Sequence, residues 1–141
     1  MCKILVIDDE EQVRAAVARR LARDGLEVES AASQEEGIRL IGSTERPYDV
    51  IVTDMVMESA DGGLETMKAA SARDIFTEVI VLTAYGNVQN AVECMRRGAF
   101  DYVEKNMPGV DVYELLSLKV HQAMDRRRAS VNTIRRLERI G

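Results

Sequence analysis

Three aspartates, a threonine and a lysine stand at the ends of apolar runs in this 141-residue chain. Ile4-Leu5-Val6-Ile7 runs into Asp8-Asp9-Glu10, and Val50-Ile51-Val52-Thr53 into Asp54-Met55. Val79-Ile80-Val81-Leu82 runs into Thr83, and Tyr102-Val103 into Glu104-Lys105. A carboxylate is an anionic acceptor, a hydroxyl donates and accepts, and an ammonium only donates. A short apolar run bounded by turn signals fits a strand buried on both faces, as in a parallel sheet. Open α/β sheets bind ligands outside the carboxyl ends of their strands. If these strands lie parallel, Asp8, Asp9, Asp54, Thr83 and Lys105 share one polar pocket. Singly, each has an ordinary explanation: Asp54 stops a strand or caps a helix, Thr83 is a β-branched strand residue, and Lys105 is a surface lysine. Their common position at four strand ends makes them a set.

The elements that must position this set alternate along the chain. Val13, Val17 and Leu21 recur at four-residue spacing in a helix that ends at Asp24-Gly25. Leu26–Ala31 reads as a second strand, and Ser33-x-x-Glu36 is a capping-box signature for a helix through Ile41 to Gly42. A third helix is predicted over Leu64–Ala72. A fourth, capped by Asn87, carries Val88, Ala91, Val92 and Met95 and closes at Gly98. A long last helix begins near Val110 and continues past Ala123 to about Leu137. Five β–α pairs of this kind give a parallel sheet with helices on both faces.

Composition bounds the function. The chain is 46% hydrophobic and 30% charged, ordinary for one globular domain. No apolar stretch approaches the ~20 residues that span a bilayer. Met1-Cys2-Lys3 leads directly into a strand without a signal peptide pattern, and Cys2 and Cys94 lack metal-ligand spacing, so reduced thiols in a cytoplasmic protein are expected. The net charge of -5 is uneven: residues 119–139 sum to +5 and the remainder to -10. An acidic body argues against direct nucleic-acid binding by that body, and the basic tail reads as a solvated helix. Val131, Ile134, Leu137 and Ile140 form an apolar stripe there, too short for a self-sufficient coiled coil. The seven methionines read as core filler, and His121, the only histidine, is not expected to be a ligand.

With these residues in hand, the chain resembles the receiver domains of bacterial two-component response regulators. The resemblance rests on Ile4–Glu10, Val52-Thr53-Asp54-Met55-Val56-Met57, Leu82-Thr83-Ala84-Tyr85-Gly86 and Gly98–Lys105, in order and with compatible spacing. It covers roughly Lys3 to Ala123, which sets an expected receiver domain over 1–123 and a helical extension or linker over 124–141. It implies a flavodoxin-like five-stranded sheet of order 2-1-3-4-5. Asp54 matches the aspartate that accepts a phosphoryl group from a histidine kinase or phosphotransfer protein. Asp8, Asp9, Asp54 and the backbone carbonyl of Val56 match the Mg²⁺ ligands, Asp8 through water. Thr83 matches the switch hydroxyl, Tyr102 the switch aromatic, and Lys105 the lysine that pairs with phosphoryl oxygens. These types suit the reaction, since phosphoryl transfer needs positioning and charge neutralisation, and Mg²⁺ takes hard oxygen ligands. Without the ion, Asp8, Asp9 and Asp54 repel one another, and at least one pKa is expected to rise. The resemblance further implies an output domain or partner, and a homodimer is expected through the tail.

The sequence departs from the family pattern in four places. Glu58 stands where proline is common and adds negative charge at the pocket mouth. Gly62-Gly63 reads as a one-residue insertion in the following loop, and Tyr85 is bulky enough to screen a phosphoryl group from water. Lys105 is followed by Asn106 in place of proline, with Pro108 two residues later. A cis bond before a non-proline residue costs ~3–4 kcal/mol, so a trans Lys105–Asn106 bond is expected. Two rival α/β chemistries fit poorly. A flavodoxin-type electron carrier needs a glycine- and hydroxyl-rich phosphate loop where this chain has Asp8-Asp9-Glu10-Glu11, and a haloacid-dehalogenase-type hydrolase needs Asp-x-Asp. The alternative from another class is a pseudo-receiver, a phosphorylation-independent interaction module, which would lack one of the acidic or lysine positions retained here.

Overall fold

Ile4–Ile7, Val50–Val52 and Val79–Leu82 have no polar side to offer water, so they are stable only with a helix layer on each face. The structure, a computed structural model, describes residues 1–54, 62–84 and 88–140, and it has this arrangement. Strands β1 (Lys3–Ile7), β2 (Glu27–Ala31), β3 (Val50–Asp54), β4 (Glu78–Thr83) and β5 (Asp101–Glu104) pair in parallel in the order β2-β1-β3-β4-β5. Between and after them run α1 (Glu11–Arg23), α2 (Gln34–Ser43), α3 (Gly62–Arg73), α4 (Val88–Arg96) and α5 (Val112–Ile140). This is the doubly wound, flavodoxin-like order expected from the sequence.

Successive strand residues point to opposite faces. Ile4, Val6, Val50, Val52, Ile80 and Leu82 pack with Val17 and Leu21 of α1 and with Leu116, Val120, Ala123 and Met124 of α5. Leu5, Ile7, Ile51, Val79 and Val81 pack with Ile41 of α2, Met67 and Ala70 of α3 and Cys94 of α4. Complete burial of each aliphatic side chain contributes ~1.5–3 kcal/mol, and these two layers hold the strand ends in place.

Local signals act largely as their residue types dictate. Ser33 Oγ accepts from Glu36 N at 3.1 Å. The return reach is displaced by one residue, because the Glu36 carboxylate accepts from Ala32 N at 3.1 Å. Gly25 ends α1 with φ +80 and Gly98 follows α4 with φ +104, a backbone region that disfavours side chains. A Cβ at Gly37 would overlap the side chain of Ile7, so α2 lies directly on the end of β1. Among the described residues there is no cis peptide bond, and Lys105–Asn106 is trans.

Several expectations need correction. Gly62 and Gly63 belong to the first turn of α3 rather than to a loop. The last helix starts at Val112, not Val110, because Asp111 Oδ1 accepts from Tyr113 N and Glu114 N at 3.1 Å each. It reaches Ile140, beyond Leu137. The α4 face turned to the sheet carries Cys94, while Val92 and Met95 are exposed. Met67 and Met124 are buried as filler, but Met1 and Met95 face solvent. The Asn87 cap lies outside the described residues.

The basic tail is only partly solvated. Arg127 Nε donates to Asp49 Oδ1 at 2.9 Å, Arg127 also meets Asp74, and Arg126 pairs with Glu78 while stacking 4.7 Å from the Phe100 ring centroid. The apolar stripe that follows is not a single face. A step of three residues turns 300°, so each of Val131, Ile134, Leu137 and Ile140 lies ~60° behind the last. Exposure accordingly rises from 40% at Ile134 to 59% at Leu137 and 84% at Ile140.

Candidate functional site

The parallel register brings the polar ends of four strands to one edge. β1 stops at Ile7, and Asp8 N donates to Ala31 O at 3.1 Å, which keeps Asp8 in line with the sheet. Asp54 ends β3 opposite Leu82, Thr83 ends β4 opposite Glu104, and Lys105 N donates to Thr83 O at 2.9 Å. Asp8, Asp54 and Thr83 are buried, in each case because the helices that cover the sheet close around the strand ends.

Lys105 is the centre of charge. Its Nζ lies 2.9 Å from Asp8 Oδ2, 3.0 Å from Asp54 Oδ2 and 3.4 Å from Glu10 Oε1, with only 9% of the side chain exposed. Asp8 Oδ1 accepts from Glu10 N at 2.8 Å. Asp8 Oδ2, fully buried, meets the ammonium as an ion pair. Burial pushes the Asp8 pKa up; the Glu10 N–H and the Lys105 ammonium oppose this, and the Asp54 charge reinforces it. The expected rise is therefore present at Asp8, with desolvation ahead of carboxylate repulsion as its cause. Burial would lower the Lys105 pKa, but the Asp8 and Asp54 carboxylates outweigh it and hold the ammonium firmly protonated.

The other expected residues fall into place unequally. Asp9 is exposed, and it joins Asp8 and Glu10 in a group in which one carboxylate oxygen from each residue lies within 4.8 Å of the other two. Sequence alone does not mark Glu10 as a ligand, although the run Asp8-Asp9-Glu10 marks a strand end. Asp54 meets this group through Lys105. Thr83 Oγ1 donates to the carbonyl of Ala84 at 3.2 Å. Tyr102 is half-buried against the layer formed by α2, α3 and α4. Val56, Glu58 and Tyr85 lie outside the described residues. His121 is remote from the pocket, its Nδ1 2.8 Å from Ser117 O.

Hard carboxylate oxygens, one of them fully buried, suit a small divalent cation such as Mg²⁺. One ammonium faces Asp8, Asp54 and Glu10 at contact distance, with Asp9 beside them, so negative charge is in excess at this edge. None of the described helices is long and apolar enough to cross a membrane.

Comparison with known proteins agrees with the geometry. The family model described as the response regulator receiver domain matches residues 4–117. The regulatory protein AtoC of Escherichia coli is 36% identical over 103 residues, which are 73% of this chain and 22% of AtoC. The acid tolerance regulatory protein ActR of Rhizobium meliloti is 34% identical over 113 residues, 80% of this chain and 57% of that protein. The chain thus spans about a fifth of AtoC and just over half of ActR. A crystal structure of a response regulator receiver domain protein from Clostridium thermocellum superposes with a TM-score of 0.80 at 33% identity, covering 92% of this chain and 98% of that one. With its strand order, its convergent carboxylates and its lysine in the expected places, this chain belongs to the response regulator receiver domain family.

Proposed function

We propose that this receiver domain is a phosphorylation switch in which Asp54 accepts a phosphoryl group from a histidine kinase or a phosphotransfer protein. The observation that carries this reading is Lys105 Nζ, held within 3.0 Å of both Asp54 and Asp8 at the carboxyl edge of the sheet. An Asp54 carboxylate oxygen attacks phosphorus, the bond from phosphorus to the donor imidazole nitrogen breaks, and its electron pair returns to that nitrogen. The product is an aspartyl phosphate. Lys105 neutralises charge on the transferred oxygens, and the buried walls keep Asp54 in one orientation. Asp8 and Asp9 would hold Mg²⁺ together with Asp54 and the Val56 carbonyl, and the bound ion supplies further charge neutralisation at the phosphoryl oxygens.

The response begins at Thr83. Its hydroxyl donates to the adjacent carbonyl of Ala84 at 3.2 Å, a weak bond that a phosphoryl oxygen would replace. A shift of Thr83 toward Asp54 frees space for Tyr102 to turn inward, a two-state element biased by a local charge event. Glu58 and Tyr85 modulate the lifetime of the phosphoryl group. The signal passes to an output domain or partner protein in the cytoplasm. On this reading residues 1–123 form the receiver and 124–141 its helical extension, and the acidic body makes no direct contact with nucleic acid or membrane.

Intact-mass measurement after treatment with a small-molecule phosphodonor tests the proposal. The wild-type chain gains the mass of a phosphoryl group in an Mg²⁺-dependent manner, and Asp54→Asn does not. A folded wild-type chain that gains no mass would instead be a phosphorylation-independent interaction module.

A further inference from the structure

Glu10 occupies the N-cap position of α1, with φ -83 and ψ 111, yet its side chain makes no capping hydrogen bond. Ser, Thr, Asp and Asn are preferred there because a short side chain can fold onto the next backbone N–H groups. Glu10 directs its carboxylate the other way, to 3.4 Å from Lys105 Nζ. The same carboxylate completes the group formed with Asp8 and Asp9. Its backbone N–H, meanwhile, fixes Asp8 Oδ1 at 2.8 Å and so leaves Asp8 Oδ2 as the oxygen turned into the pocket. A residue placed to cap a helix thus serves the pocket through both its backbone and its side chain.

We infer that Glu10 is a positioning residue that adds a third carboxylate to the Asp8–Asp9 corner, steadies Lys105 from the solvent side, and sets how tightly the pocket takes a divalent cation. The inference rests on the cation-assisted reading given above. Its physical basis is charge and reach. Asp8 is buried, whereas Asp9 and Glu10 are exposed, Glu10 with 60% of its side chain in solvent. An exposed carboxylate attracts a divalent ion through water-like screening, so its removal weakens binding modestly, by roughly three- to tenfold.

Calorimetric titration with Mg²⁺ alone, against Na⁺ at equal ionic strength, tests this on the complete chain. Glu10→Gln keeps the length and removes the charge, and the dissociation constant rises roughly three- to tenfold. Glu10→Asn supplies the missing cap, so its ion-free melting temperature is equal to or above wild type while Mg²⁺ binding weakens in the same way. Asp9→Asn serves as the reference for loss of the site. Wild-type affinity in either Glu10 variant, with Asp9→Asn weakened, overturns the role of Glu10 and leaves the cation site standing. Absence of Mg²⁺ binding by the wild-type chain overturns the cation reading and this inference with it.

Discussion

Arg127 meets Asp74 across 53 positions of sequence, its Nη2 3.2 Å from Asp74 Oδ2. The pair joins α5 to the segment between α3 and β4, at the end of the sheet opposite the carboxylate pocket. Asp49, just before β3, takes the Arg127 Nε, and Glu78 at the start of β4 takes Arg126. Three acidic residues, two in separate connections and one at the start of β4, therefore receive two adjacent arginines. Arg127 is a fork that can serve two carboxylates at once, which a lysine cannot reproduce.

Arg127→Gln destabilises the domain by ~2 kcal/mol, the range for hydrogen bonds to charged groups, and lowers the melting temperature by roughly 4–8 °C. Burial alone would raise the Asp74 pKa, but hydrogen bonds from Arg127 and Phe76 N hold it below its ordinary 3.8. A depressed carboxylate stabilises fully above its unfolded pKa and loses that contribution as pH falls through the folded value. The gap between wild type and variant is thus constant above about pH 4 and narrows below it. Thermal melts across this range check the sign; a gap that widens in acid contradicts it.

Lys105→Met removes the ammonium between Asp8 and Asp54. In ion-free buffer the variant melts below wild type, because two buried carboxylates lose their counter-charge. Its Mg²⁺-induced rise in melting temperature exceeds that of wild type, since the cation then meets no competing ammonium. Parallel thermal melts with and without Mg²⁺ decide the point.

Saturating Mg²⁺ stabilises the wild-type chain. At 100 times the dissociation constant the gain is ~2.7 kcal/mol, a shift of roughly 5–10 °C. Asp54→Asn has a smaller response. A shift no larger than that produced by Na⁺ at equal ionic strength refutes the metal site.

Association of two copies through the last turns of α5 is tested by truncation. A chain ending at Ser130 retains Arg126 and Arg127 with their partners and loses the exposed Ile134, Leu137 and Ile140. It melts within a degree or two of the full chain, yet sediments as a monomer where the full chain associates. Identical sedimentation of the two chains, with and without phosphodonor, excludes the tail as an interface.

Much of the fold was legible because the strands are buried on both faces. Such strands must be nearly all apolar, so their ends, and with them Asp8, Asp54, Thr83 and Lys105, are marked in the sequence. The parallel register then followed from the alternation of strands and helices. Glu10 was harder to read, because an acidic residue before a helix ordinarily serves the helix, and only the position of Lys105 shows its other direction. Arg127 was hidden for a similar reason. A run of three arginines has the composition of a solvated face, and its contacts depend on Asp49 and Asp74, which converge only when the sheet has formed. Gly62 and Gly63 carry a loop composition that the fold overrides by placing them in the first turn of α3.

The unbroken 29-residue span of α5 makes the domain a lever with its fulcrum beside Arg127. At 1.5 Å per residue the thirteen steps from Arg127 to Ile140 form an arm of ~20 Å. A tilt of ~10° at the fulcrum displaces the tip by ~3.5 Å, given that arm length. Displacements too small to disturb the packed body therefore arrive at the end of the helix enlarged.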